Sequence, residues 1–136
     1  MKGKRKHRDP EYALHAFHRE DERTGRSSVA FLVRTVKDFT SFNYEILLDA
    51  SISERTIRLK ILGLRTTPLI MPGIGPARGM REFENIRGTY TLHIVKPDGE
   101  MNEFQLNVTS SQITLNGSPP RPFILVSSEP VYFSQP

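Results

Sequence analysis

The chain has 136 residues, of which 37% are hydrophobic and 25% charged, and a formal net charge of +4 at pH 7. This length and composition predict one globular domain with its own core and exclude a wholly disordered chain. The absence of cysteine excludes disulfides and cysteine nucleophiles and is typical of a cytoplasmic protein. No apolar run is long enough to be a transmembrane segment, and no signal peptide can be read.

The positive charge is concentrated in one short segment and one internal block. Five of the 19 Lys and Arg residues lie within residues 2–8, so the rest of the chain has 14 basic residues against 15 acidic ones. Residues 55–81 contain six basic residues and no acidic one. We interpret residues 1–9 as a disordered basic N-terminal arm and residues 10–136 as a single β-rich domain. The acid-free block then indicates a functional surface on that domain.

The segment that follows the arm, residues 10–24, fits two alternatives. Asp9 as an N-cap, followed by Pro10 and by Glu11 in the first turn, favours a helix. The acidic residues 20–22 would then lie at the negative end of the helix dipole, and the same segment also alternates as a strand. We predict a helix here, with a strand as the alternative.

From residue 28 onwards the hydrophobic pattern has a period of two, which is typical of half-buried strands. The clearest case is Ile57, Leu59 and Ile61, which alternate with basic residues. The predicted strands lie near residues 29–33, 42–49, 57–61, 90–94, 104–108, 113–115, 123–126 and 131–133. Seven or eight short strands without long helices between them predict a mainly β fold, an antiparallel sandwich or barrel.

Two connections between the predicted strands are distinctive. Pro97 and Gly99 predict a tight hairpin, since Pro presets φ and Gly99 can adopt the positive φ that the turn needs. Residues 66–80 show neither helical nor strand periodicity, so we predict a long Pro/Gly loop there. Loops of this length in compact domains are usually functional or disordered.

The sequence contains no set of residues typical of catalysis. The stretch 73–79 does not match a dinucleotide-binding motif, because Arg78 stands where the third glycine is required. His15, His18 and Glu22 would share one face of a helix, but no further ligand lies near them to complete a metal site. We therefore predict that the protein is not an enzyme and has no metal site and no cofactor.

Two hypotheses for function follow, and no motif identifies a known family. The first is a small non-enzymatic β-sandwich module that binds a protein partner or another copy of itself through apolar loop residues. Those docking residues are Leu69, Ile70, Met71 and Ile74. The alternative is an anion- or nucleic-acid-binding β domain that uses the basic arm and a cationic surface. The cations of that surface are Arg58, Lys60, Arg65, Arg78 and Arg81.

Overall fold

The computed structural model describes residues 9–40, 44–66 and 74–130. These residues form β-strands and no helix, so the mainly β fold expected from the alternating pattern is confirmed. The strands are β1 (Tyr12–Glu20), β2 (Ser27–Phe39), β3 (Tyr44–Ser53), β4 (Thr56–Thr66), β5 (Gly75–Glu84), β6 (Gly88–Val95), β7 (Met101–Val108), β8 (Ile113–Asn116) and β9 (Ile124–Ser127). The basic arm, apart from Asp9, and the predicted strand at 131–133 lie outside the described residues.

The strands form one nearly closed, barrel-like sheet, in the order β8-β7-β6-β4-β3-β5-β2-β1-β9, and not two stacked sheets. Most neighbours are antiparallel, but β1 pairs with β9, β3 with β5 and β4 with β6 in parallel. The expected antiparallel pairing therefore holds for most neighbouring strands of the barrel, and these three contacts are the exceptions. The parallel β3–β5 and β4–β6 contacts arise because β5 inserts between β3 and β2, after which β6 returns on the far side of β4.

The predicted helix over residues 10–24 is wrong, because Tyr12–Glu20 form β1. This strand pairs with β2 on one side and with β9 on the other, so its backbone groups are satisfied without a helix. Its apolar side chains are buried on both faces, which hides the period of two: they are Ala13, Leu14, Ala16 and Phe17. In a strand, His15 and His18 point to opposite faces, so the shared metal-binding face considered for a helix does not exist.

The hairpin predicted around Gly99 is confirmed. Val95 of β6 faces Met101 of β7, and Lys96 N donates a hydrogen bond to Glu100 O at 2.8 Å. Gly99 has a φ of 95°, which supplies the left-handed conformation expected at this turn.

The predicted loop over residues 66–80 is wrong at both boundaries. Thr66 belongs to β4, and β5 begins at Gly75, while residues 67–73 lie outside the described part of the chain. Gly79 makes β5 possible, because a Cβ atom there would overlap the Ile46 carbonyl oxygen of β3. The glycine is therefore needed for strand-to-strand contact within the barrel.

One contiguous apolar core fills the barrel. Its fully buried side chains come from strands all around the sheet and include Leu14, Phe31, Ile57, Leu59, Ile61, Leu92 and Leu106. The barrel has two ends. The name Ile74 end is used for the end of the barrel at which β2 and β4 finish and β3 and β5 begin. The name Arg87 end is used for the opposite end, at which β1 and β5 finish and β2 and β6 begin.

Side chains close the seam between β7 and the β1–β9 pair. Asn102 is only 2% exposed, and its Nδ2 donates to Arg121 O at 3.0 Å while its Oδ1 accepts from Phe123 N at 2.9 Å. Lys96 Nζ lies 2.7 Å from Glu11 Oε2 and 5.4 Å from the centroid of the Phe123 ring. The hydrogen bond to Glu11 raises the pKa of Lys96, so its charged form contributes to closure.

Candidate functional site

Two of the five predicted cations lie side by side on the outer wall. Arg58 and Lys60 are exposed on β4, because the alternating Ile57, Leu59 and Ile61 occupy its inner face. Their neighbours are not uniformly basic. Lys60 is paired across the sheet with Asp49 of β3, and Arg58 is paired with His93 of β6, which contacts Glu103 of β7 at 3.0 Å.

The other three predicted cations are placed elsewhere. Arg65 Nη2 forms a 2.5 Å ion pair with Glu45 Oε1 at the Ile74 end. Arg78 lies on β5, where its register partners are Arg34 of β2 and Glu45 of β3. The acid-free block of the sequence therefore becomes a surface of mixed charge in the fold, because strands from other parts of the chain bring carboxylates beside it.

Arg81 has a structural position. Beyond the Arg78–Glu45 pairing, β3 and β5 no longer share backbone partners. Arg81 reaches across this gap, and its Nε and Nη2 donate to Leu48 O at 3.1 and 2.7 Å. The guanidinium thus satisfies a strand carbonyl at a point where β3 and β5 are not paired through their backbones.

The Ile74 end carries a concentration of exposed apolar side chains. Ile74, which the sequence predicted as a docking residue, is 77% exposed immediately before β5. Leu62 and Leu64 of β4 are 52% and 44% exposed, and Val36 of β2 is 46% exposed. We call these four residues the apolar end patch. The other predicted docking residues, Leu69, Ile70 and Met71, lie outside the described residues.

A β-bulge explains part of this patch. Gly63 faces Leu47 and Ile61 faces Leu48, so Leu62 is an extra residue without a partner on β3. Such a bulge bends the strand and turns the extra side chain outward. The sequence contains a signal for this bulge, since the run from Ile61 to Leu64 is apolar without alternation and includes a glycine.

Aromatic and charged residues lie at the same end of the barrel as the apolar end patch. The rings of Phe39 and Tyr44 are 4.7 Å apart between centroids, and Lys37 Nζ lies 5.6 Å from the centroid of Phe39. Together with the Arg65–Glu45 ion pair, they give the patch a rim with both signs of charge. An apolar centre within a polar rim is the usual composition of a protein-binding surface.

His15 is a titratable group with a shifted pKa on the outer face of β1. Arg34 Nε donates to His15 Nε2 at 3.1 Å, and His15 Nδ1 lies 3.3 Å from Glu129 O. Burial lowers the pKa of His15, and the Arg34 charge lowers it further. Across the described ranges, no three His, Asp or Glu side chains are grouped so as to hold a metal ion.

Comparison with protein-family models, with curated proteins and with solved structures finds no match in any of the three. Within the described ranges, no helix is long and apolar enough to span a membrane.

Proposed function

We propose that this chain is a non-enzymatic binding and assembly module that docks protein through the apolar end patch. The observation that carries the proposal is the exposure of four large apolar side chains at one end of the barrel, led by Ile74 at 77%. Leu62 and Leu64 belong to β4, Val36 belongs to β2, and Ile74 directly precedes β5, so the four residues come from segments that meet at one end of the sheet. Scattered apolar side chains are ordinary on protein surfaces, but a rimmed group at one end is typical of an interaction site.

The occupant that we propose is a second copy of the chain. The rim of the patch carries Lys37 and Arg65 as well as Asp38 and Glu45. In a two-fold symmetric dimer the same surface meets itself, so a rim with both signs can place acid against base without net repulsion. A partner with a strongly charged surface would match this mixed rim less well.

The test is the oligomeric state of the full chain, measured by sedimentation over a range of concentrations. We expect the wild-type protein to dimerise and Ile74→Asp to weaken dimerisation by about tenfold or more, because the carboxylate would be desolvated in an apolar contact. Ile52→Asp is the matched control, since Ile52 is 41% exposed but lies near the tip of the β3–β4 hairpin at the other end.

A wild-type protein that stays monomeric at about 500 μM would contradict the proposed dimer, as would equal weakening by both substitutions. The alternative function, polyanion binding, is supported by Arg58 and Lys60 alone among the five cations named from the sequence. Since Asp49 lies opposite Lys60, the apolar end patch is the better-supported surface.

A further inference from the structure

A cavity of about 470 Å³ opens at the Arg87 end, away from the apolar end patch. Its walls come from the end of β1, the start of β2, the end of β5 and the connection from β5 to β6. Val29 and Phe83 close its inner side, where it meets the apolar core. The mouth of a β-barrel is a common position for a small-molecule site, and this volume lies within the usual range for such sites.

His18 lines this cavity and carries an unusual atom. Its register partner on β2 is the core residue Val29, so His18 faces the interior of the barrel. The Nε2 atom is buried and has no hydrogen-bond partner among the described residues. Most buried polar atoms in proteins are paired, and an exception calls for an explanation such as a bound ligand.

Two guanidinium groups line the same cavity. Arg26 Nη1 lies 3.6 Å from Glu84 Oε1, and both side chains are more than half exposed. The guanidinium of Arg87 has no carboxylate partner within the described part of the chain. The lining therefore has two positively charged guanidinium groups and one negatively charged carboxylate. Its net positive charge is centred on Arg87.

The backbone around Arg87 is fixed on both sides. Arg87 N donates to Tyr90 Oη at 3.2 Å, and Arg87 O accepts from Arg55 Nη1 at 2.8 Å. Arg55 is itself held over the Tyr90 ring, with its guanidinium carbon 4.7 Å from the ring centroid. Asn85, two residues earlier, has a φ of 63°, a conformation that non-glycine residues adopt mainly where the surrounding structure requires it.

We propose that this cavity binds a small organic anion. Its carboxylate or phosphate oxygens accept hydrogen bonds from the guanidinium of Arg87 and from His18 Nε2, and its carbon body lies against Val29 and Phe83. A planar guanidinium on a fixed backbone is well suited to an oxyanion, because it donates two parallel hydrogen bonds. The site is separate from the proposed dimer surface at the opposite end, so either function can stand without the other.

The experiment is an NMR titration of the full chain with citrate and, separately, with inorganic phosphate. The readout is the imidazole signal of His18, assigned by its loss in His18→Gln. We expect a saturable shift, and we expect Arg87→Gln to weaken binding by about tenfold or more, since hydrogen bonds to charged groups are among the stronger ones. Arg121→Gln is the matched control, because it removes the same charge from an exposed position that does not line the cavity.

A saturable shift with either anion that Arg87→Gln weakens and Arg121→Gln does not would support the site. Tighter binding of citrate assigns the ligand class to carboxylates, and tighter binding of phosphate assigns it to phosphate esters. The proposal is overturned if neither anion gives a saturable shift up to about 20 mM, or if the two arginine variants weaken binding equally.

Discussion

His15 is held in one protonation state by two neighbours. Its contact with Glu129 O requires a hydrogen on Nδ1, while the hydrogen bond from Arg34 requires a lone pair on Nε2. The neutral imidazole with its proton on Nδ1 satisfies both. Adding a proton at Nε2 would break the Arg34 contact and place two positive charges side by side.

This geometry predicts how stability depends on pH. Because the pKa of His15 is lowered in the folded state, the unfolded chain binds more protons as the pH falls below the ordinary histidine pKa of about 6.5. The contribution of His15 to the free energy of unfolding is therefore complete above that pH and is lost as the pH falls below it. We expect the free energy of unfolding, measured in urea, to decrease from pH 7.5 to pH 5.5 (a range of about two units, within which histidine titrates).

The variant His15→Gln tests this assignment, since glutamine can accept the Arg34 hydrogen bond but does not titrate. We expect its free energy of unfolding to change less with pH than that of the wild-type protein. An unchanged slope in the variant would show that His15 is not the group responsible.

Among the elements, β5 shows how a local sequence can be overruled by its neighbours. The stretch from Gly75 to Met80 contains two glycines, a proline and an alanine, which are poor strand formers apart from their context. It becomes a strand because β2 pairs along its length and because Gly79 allows contact with β3. Neither condition can be deduced from the stretch itself.

Gly79→Ala is expected to lower the free energy of unfolding by about 1–3 kcal/mol, the usual cost of overpacking. The new methyl group would overlap the Ile46 carbonyl oxygen, which belongs to a strand and cannot move freely. Gly75→Ala is the matched control on the same strand, because a Cβ atom there meets nothing within 4 Å. Chemical denaturation of the two variants should separate them, and equal stability would contradict the close approach of β3 and β5.

The strands that the sequence predicted correctly are those with one buried and one exposed face. Ile57, Leu59 and Ile61 alternate with exposed basic residues, so their strand could be read directly. In β1, Ala13 and Leu14 are both buried, so the sequence shows no clear alternation of apolar and polar residues there. The capping signal at Asp9 then favoured a helix that does not form. The mixed charge beside Arg58 and Lys60 could not be predicted for a related reason, since the carboxylates there are contributed by distant segments.

For the whole molecule, closure of the barrel depends on side chains more than on a continuous backbone ladder. Asn102 hydrogen-bonds across the seam to two backbone groups at once, so it takes the place of a strand neighbour. Since the residue is buried, losing it would leave both Arg121 O and Phe123 N without compensation.

Asn102→Leu is expected to lower the free energy of unfolding by about 2–3 kcal/mol, since the buried Phe123 N and the Arg121 carbonyl oxygen both lose their partner. The control is Asn107→Leu on the same strand, where the exposed amide accepts a long hydrogen bond of 3.3 Å from Thr89. The free energy of unfolding of this control variant is expected to stay within about 0.5 kcal/mol of the wild-type value. Thermal unfolding of both variants measures the difference, and a small effect at Asn102 would mean that closure does not rely on this side chain.

The parallel pairing of β1 with β9 has a consequence for how the protein is made. Tyr12 pairs with Ile124, so the second neighbour of β1 does not exist until most of the chain has been synthesised. During that interval β1 has β2 on one side and an unpaired row of backbone donors and acceptors on the other, which is a template for aggregation. The growing chain therefore carries this open edge from the formation of the β1–β2 hairpin until residues 124–127 are available to pair with β1.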